Sequence, residues 1–131
     1  MEVNDILKDA KVMIVDEILA DVNLIYSVIY NLITNALKFT PEMGTIKINI
    51  NKNDSNYIIS VKDSGIGMPE RIRNSLFKIG EVKSRPGTNN EPGTGLGLLL
   101  CHEILISHGG IIRVQSEENK GSEFIIELPL T

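Results

Sequence analysis

Within the stretch NLITNALKFT, Asn31, Asn35 and Lys38 stand at i, i+4 and i+7, a spacing that puts all three on one face of a helix. Asparagine is a mediocre helix former because its amide competes for backbone hydrogen bonds. Two of them aligned with a lysine suit another task, since amide oxygens ligate a hard cation and an ammonium offsets phosphate charge. Mg²⁺ keeps several waters and takes few protein ligands besides phosphate oxygens, so one or two amides suffice. A polar stripe is also what the wet side of an amphipathic helix presents. Spacing alone leaves both readings open.

A second group is DSGIGM, in which Asp63 is followed by Gly65 and Gly67 on either side of one apolar residue. Glycines let the backbone approach a flat ligand. A partly buried Asp63 offers acceptor oxygens to an exocyclic amine such as that of adenine, and no donor to a keto group. An ordinary Asp-Ser-Gly turn fits the same residues. The third group is GTGLGL, where Gly93, Gly95 and Gly97 precede or open an apolar helical stretch. Free amides at a helix start with pliant glycines make an anion site suited to a triphosphate, and a flexible hinge is the alternative. The spacing is not GxGxxG after a strand, nor GxxxxGK[ST], so neither a dinucleotide fold nor a P-loop is indicated.

The histidines offer less. His102 and Glu103 would need a second histidine at position 106 for a zinc-protease helix, and that residue is Ile106. His108 precedes Gly109-Gly110 and reads as a helix-end residue bonding the last carbonyls. The single cysteine, Cys101, excludes an internal disulfide, suits a reducing compartment and behaves as a small apolar residue.

The elements that must position these groups are legible in the hydrophobic pattern. A helix near residues 4 to 15 carries Ile6, Leu7, Ala10, Met13 and Ile14, and Ile18-Leu19-Ala20 reads as a short strand. Asp21 caps a long helix from about Val22 to Lys38, whose core side is Ile25, Ile29, Leu32, Ile33 and Ala36. Thr45 to Asn51 and Tyr57 to Lys62 alternate as a β-hairpin. Pro69 fits the first turn of a short helix ending near Phe77, and residues 80 to 95 form a long polar loop. A helix from Leu96 to Ser107 and strands Ile111 to Ser116 and Ser122 to Leu128 complete the chain. The order predicts one α+β domain over residues 1–131, a two-layer sandwich with a mixed, mostly antiparallel sheet covered on one face by helices.

A chain of 131 residues with net charge −4 lacks the basic surplus that nucleic acid or an anionic membrane surface requires. No apolar run approaches the roughly 20 residues of a membrane helix. The chain therefore reads as cytoplasmic, with any inner-membrane anchor of a parent protein lying outside this sequence.

Taken in order, NLITNALKFT, DSGIGM, the Leu76-Phe77 pair, GTGLGLLLC, HGG and GSEF resemble the N box, first glycine box, F box, second glycine box and closing elements of sensor histidine kinase catalytic domains. The likeness spans roughly residues 18 to 129. It implies the Bergerat ATP-binding fold, with ATP and Mg²⁺ as cofactors. By the resemblance, Asn35 is the Mg²⁺-binding asparagine, Asn31 its companion, and Lys38 a phosphate contact, the three forming the catalytic set. Phe39 lies beside the nucleotide and Asp63 reads adenine, while Gly65, Ile66, Gly67 and Met68 shape the base pocket. Phe77, Gly93, Thr94, Gly95, Leu96, Gly97 and Leu98 belong with residues 80 to 95 to an ATP lid and its hinge. Ser122 and Phe124 back the adenine site.

Relatives that hydrolyse ATP carry a glutamate at the position matched by Asn31, and an amide cannot take that proton. The implied activity is phosphotransfer from ATP to a histidine on a separate dimerisation domain, with a response regulator served indirectly. An ATP-hydrolysing conformational module is the alternative. Two departures stand out. No helical pair bearing the phosphoacceptor histidine fits before Asp21, so the isolated chain is expected to lack its own acceptor. The segment 1–17 is short, and Val15-Asp16-Glu17 runs almost directly into Ile18, which predicts a missing edge strand and self-association through an unpaired sheet edge.

Overall fold

A computed structural model describes residues 22–77 and 97–129. The expected helix at residues 4 to 15, the strand at 18 to 20, the missing edge strand and the loop 80 to 95 lie outside these described residues.

Helix α1 (Val22–Phe39) buries Ile25, Val28, Ile29, Leu32, Ile33 and Ala36 along one side. Its many β-branched residues cost at most about 0.7 kcal/mol each in helix propensity. Each fully buried isoleucine returns roughly 1.5–3 kcal/mol, so packing decides the conformation. Lys38 sits in the last turn, where the macrodipole favours a cation. Thr40 closes the end by donating to the Ala36 carbonyl at 2.6 Å, and Pro41 cannot extend the helix.

Strands β1 (Ile46–Lys52) and β2 (Asn56–Asp63) form the expected hairpin, paired from Ile46↔Asp63 to Lys52↔Tyr57. At its tip Asn53 Oδ1 accepts the N–H groups of Ser55 and Asn56 at 2.9 and 2.7 Å. Helix α2 (Glu70–Ser75) is short, with six residues. Pro69 precedes it as an extended cap, one position earlier than the first-turn placement read from the sequence, because its ψ of 157° is not helical. Helix α3 (Gly97–Ser107) buries Cys101 and Leu105 and ends where Gly109, at φ 75°, lets Gly110 N–H reach the Leu105 carbonyl at 2.8 Å. As expected, His108 Nδ1 lies 2.7 Å from the Ile104 carbonyl.

Strands β3 (Ile111–Glu117) and β4 (Gly121–Pro129) complete a sheet of order β1-β2-β4-β3, in which every described pairing is antiparallel. Tyr57, Ile59 and Val61 of β2 and Phe124, Ile126 and Leu128 of β4 alternate onto the face that meets the α1 and α3 side chains. The result is the α+β two-layer sandwich. Among the described residues no helix is long and apolar enough to cross a membrane.

Candidate functional site

The sandwich gathers chemistry at one end, where β2, β4 and the C-terminus of α1 converge. The register Asp63↔Ser122 sets these two residues side by side, and both are buried. Asp63 Oδ1 accepts the N–H of Gly65 at 2.8 Å and that of Ser122 at 3.3 Å, so backbone groups from two elements orient the carboxylate.

The loop after Asp63 is clamped on both sides. Ile66 N–H bonds the Phe39 carbonyl at 3.1 Å, while Asn119 N–H bonds the Ile66 carbonyl at 2.7 Å. A Cβ at position 65 would come within 2.1 Å of Phe39 O, and one at 67 within 2.0 Å of Glu117 O, where φ is 63°. Both glycines are therefore required by close approach of backbone to backbone. Met68 N–H donates to Ser116 Oγ at 2.9 Å, and Ser116 Oγ in turn donates to the Gly121 carbonyl at 3.0 Å and lies 2.8 Å from Ser122 Oγ. With Ser122 donating, the one donor and two acceptor positions of Ser116 are all used.

The structure brings together Phe39, Asp63, Gly65, Ile66, Gly67, Met68 and Ser122, with Phe124 buried one inward position beyond Ser122. Lys38 and Asn35 are half-buried on the last turns of α1, and Lys38 Nζ lies 5.1 Å from the centroid of the Phe39 ring. Asn31 faces α3: it hydrogen-bonds the Cys101 side chain, and a Cβ on Gly97 would stand 3.0 Å from its Oδ1. Leu98, next along α3, packs against the apolar core. Phe77 stacks on His102, away from the Asp63 loop's own contacts. Gly93, Thr94, Gly95 and Leu96 lie outside the described residues. Ser116, which ties Met68 to Gly121 and Ser122, has no counterpart in the sequence reading. The available signal for Ser116 was a small polar residue on the inward phase of Ile112, Val114 and Ser116.

Cys101 is fully buried, with Sγ 4.0 Å from the Val28 carbonyl. Burial pushes its thiol from 9.0 up to about 11, a rise that the hydrogen bond from Asn31 only partly opposes. Native protein should consequently resist thiol-specific disulfide reagents and react fully in denaturant. The native state holds this proton more tightly than the unfolded chain. Its contribution to stability is thus complete below pH 9.0 and is lost as the pH rises toward about 11. Urea midpoints against pH should fall more steeply there for the native sequence than for Cys101→Val, and parallel curves would refute this.

Comparison with known proteins agrees with this geometry. Residues 20–131 match the family described as histidine kinase-, DNA gyrase B- and HSP90-like ATPase. The chain is 38% identical over 110 residues to sporulation kinase C of Bacillus subtilis, covering 84% of this chain and 24% of that protein. It is 41% identical over 112 residues to the adaptive-response sensory kinase SasA of Gloeothece citriformis, covering 85% of this chain and 28% of that protein. It thus spans about a quarter of the length of these relatives. Among solved structures it is similar to the nucleotide-free catalytic domain of histidine kinase ThkA, with TM-score 0.69, 36% identity, and coverage of 84% of this chain and 69% of that one. Full-length ShkA in complex with AMPPNP aligns with TM-score 0.70 and 30% identity over 87% of this chain and 23% of that one. With its fold, its clamped glycine loop and its relatives in agreement, the chain belongs to the histidine kinase-, DNA gyrase B- and HSP90-like ATPase family, on the side of the sensor histidine kinases.

Proposed function

We propose that this chain is the nucleotide-holding domain of a sensor histidine kinase, which binds Mg-ATP and presents the γ-phosphate to a histidine on a separate dimerisation domain. The observation that carries this reading is the buried Asp63 carboxylate, oriented by Gly65 and Ser122 amides above a loop in which two glycines leave no room for side chains. That arrangement suits a flat base bearing an exocyclic amine.

The residues fit the nucleotide and its metal. Asp63 accepts from the amine and the Gly65 to Met68 backbone lies along the base. Asn35 stands on the half-buried face of α1 that continues to Lys38. Mg²⁺ takes few protein ligands besides phosphate oxygens and water, and an amide oxygen is a suitable hard donor. Mg²⁺ supplies charge neutralisation on the phosphates. Asn31 is engaged by α3 through Cys101, which makes Asn35 the first choice as its protein ligand. Lys38 adds a positive charge beside the phosphates.

Transfer then needs alignment more than proton abstraction. The acceptor imidazole nitrogen attacks the γ-phosphorus, the bond to the bridging oxygen breaks, and ADP leaves with the electron pair. Asn31 offers no base for water, which disfavours hydrolysis.

The test joins calorimetry to transfer. Wild-type protein should bind Mg-ATP and label an added dimerisation domain that carries its histidine, with little phosphate released in its absence. Asn35→Ala should weaken Mg-ATP binding beyond detection while leaving Mg-free ADP less affected. Steady phosphate release without an acceptor would instead favour the hydrolytic module.

A further inference from the structure

Phe77 and His102 form a stacked pair with ring centroids 5.1 Å apart and planes inclined by 19°. The pair joins elements that share little else. Helix α2 buries none of its own residues, and it is held by Arg73 Nη1 donating to the Ser116 carbonyl at 3.3 Å and by the buried Leu76 that follows it. Phe77 is the next residue, and the ring that receives it belongs to α3.

His102 Nδ1 is buried and has no hydrogen-bond partner among the described residues. Glu103 Oε1 lies 3.7 Å away, beyond hydrogen-bond range. Buried polar atoms are nearly always partnered. The ring is therefore held by its face, through Phe77. The same two turns of α3 meet α1 on the other side, where Asn31 abuts Gly97 and bonds Cys101. One stretch of α3 thus touches α1 through Gly97 and Cys101 and, through His102, meets Phe77 at the end of the segment that starts at Met68.

We propose that His102 is a positioning residue for nucleotide binding, acting through Phe77: the stack fixes the end of the Met68 to Phe77 segment against α3, in register with Asn31. This rests on the nucleotide reading above. Wild-type affinity is therefore measured first, and failure of wild-type protein to bind ATP would be a failure of that reading alone.

His102→Ala should lower affinity for ATP by roughly 3–10-fold, the range expected for losing one aromatic stack. His102→Phe should restore it and His102→Leu should not, since leucine fills space without a ring face. Phe77→Ala combined with His102→Ala should bind no more weakly than the worse single variant. The urea midpoints of the Phe and Leu variants should agree, separating positioning from general stability. Wild-type affinity in His102→Ala, equal affinity of the Leu and Phe variants, or losses that multiply in the double variant would each overturn the proposal. Should the alanine variant fail to fold, the Leu and Phe comparison decides.

Discussion

Replacing Asp63 by asparagine is expected to lower ATP affinity by about 30–100-fold, the usual cost of a buried charge-assisted hydrogen bond replaced by a mismatched one. The fold should survive, because an amide oxygen can take the place of Oδ1 and keep the Gly65 and Ser122 N–H bonds. That choice forces the new NH₂ group into the other carboxylate position. A donor there meets the amine of adenine with another donor. Affinity for ATP should consequently fall much further than affinity for inosine triphosphate, whose base carries a keto oxygen at that place. Equal losses for the two nucleotides in calorimetry would mean that Asp63 supports the loop without reading the base.

Gly121→Ala should cost about 3 kcal/mol or more of stability. Position 121 has φ 88°, and a Cβ would lie 2.0 Å from the Asp63 carbonyl oxygen and 3.1 Å from Ser64 Cα. Backbone cannot yield as a flexible side chain does. Gly109→Ala is the internal control, since φ is 75° there but the nearest atom to a Cβ is Pro129 Cγ at 3.7 Å. Only the left-handed backbone penalty applies at that site, roughly 1–2 kcal/mol. Urea unfolding should rank the two variants in this order with Gly121→Ala also losing nucleotide affinity. Equal midpoints would show that close approach, as distinct from backbone sign, contributes nothing.

Much of this was readable in the chain because local chemistry dictated it. The inward series Ile25, Ile29, Leu32, Ile33 and Ala36 could only be one side of a helix, and all five are buried. Alternation announced the β1–β2 hairpin, whereas Gly65 and Gly67 read as room for a flat ligand and in the fold make room for the carbonyls of Phe39 and Glu117. What stayed hidden depends on pairing over long separations. The insertion of β4 between β2 and β3 is not encoded in any single strand. Asn31 read as a companion to Asn35 on one face, yet its amide is drawn to Cys101, seventy residues further along the chain and adjacent only after α3 has packed. Sequence spacing tests His102 only as a metal ligand, and Ile106 fails that pattern. The histidine's aromatic face, the property that matters against Phe77, has no signature in sequence spacing.

The hairpin tip between β3 and β4 carries a consequence for how this domain can diverge. Exposed tips are ordinarily where chains accept insertions and deletions. Here Asn119 N–H reaches back to the Ile66 carbonyl at 2.7 Å, and Ser116 on its flank ties Met68 to Gly121. One residue added between Glu117 and Gly121 would be felt at once in the loop after Asp63. The tip lies at the surface, but its length is an internal dimension of the loop that carries Gly65 to Met68.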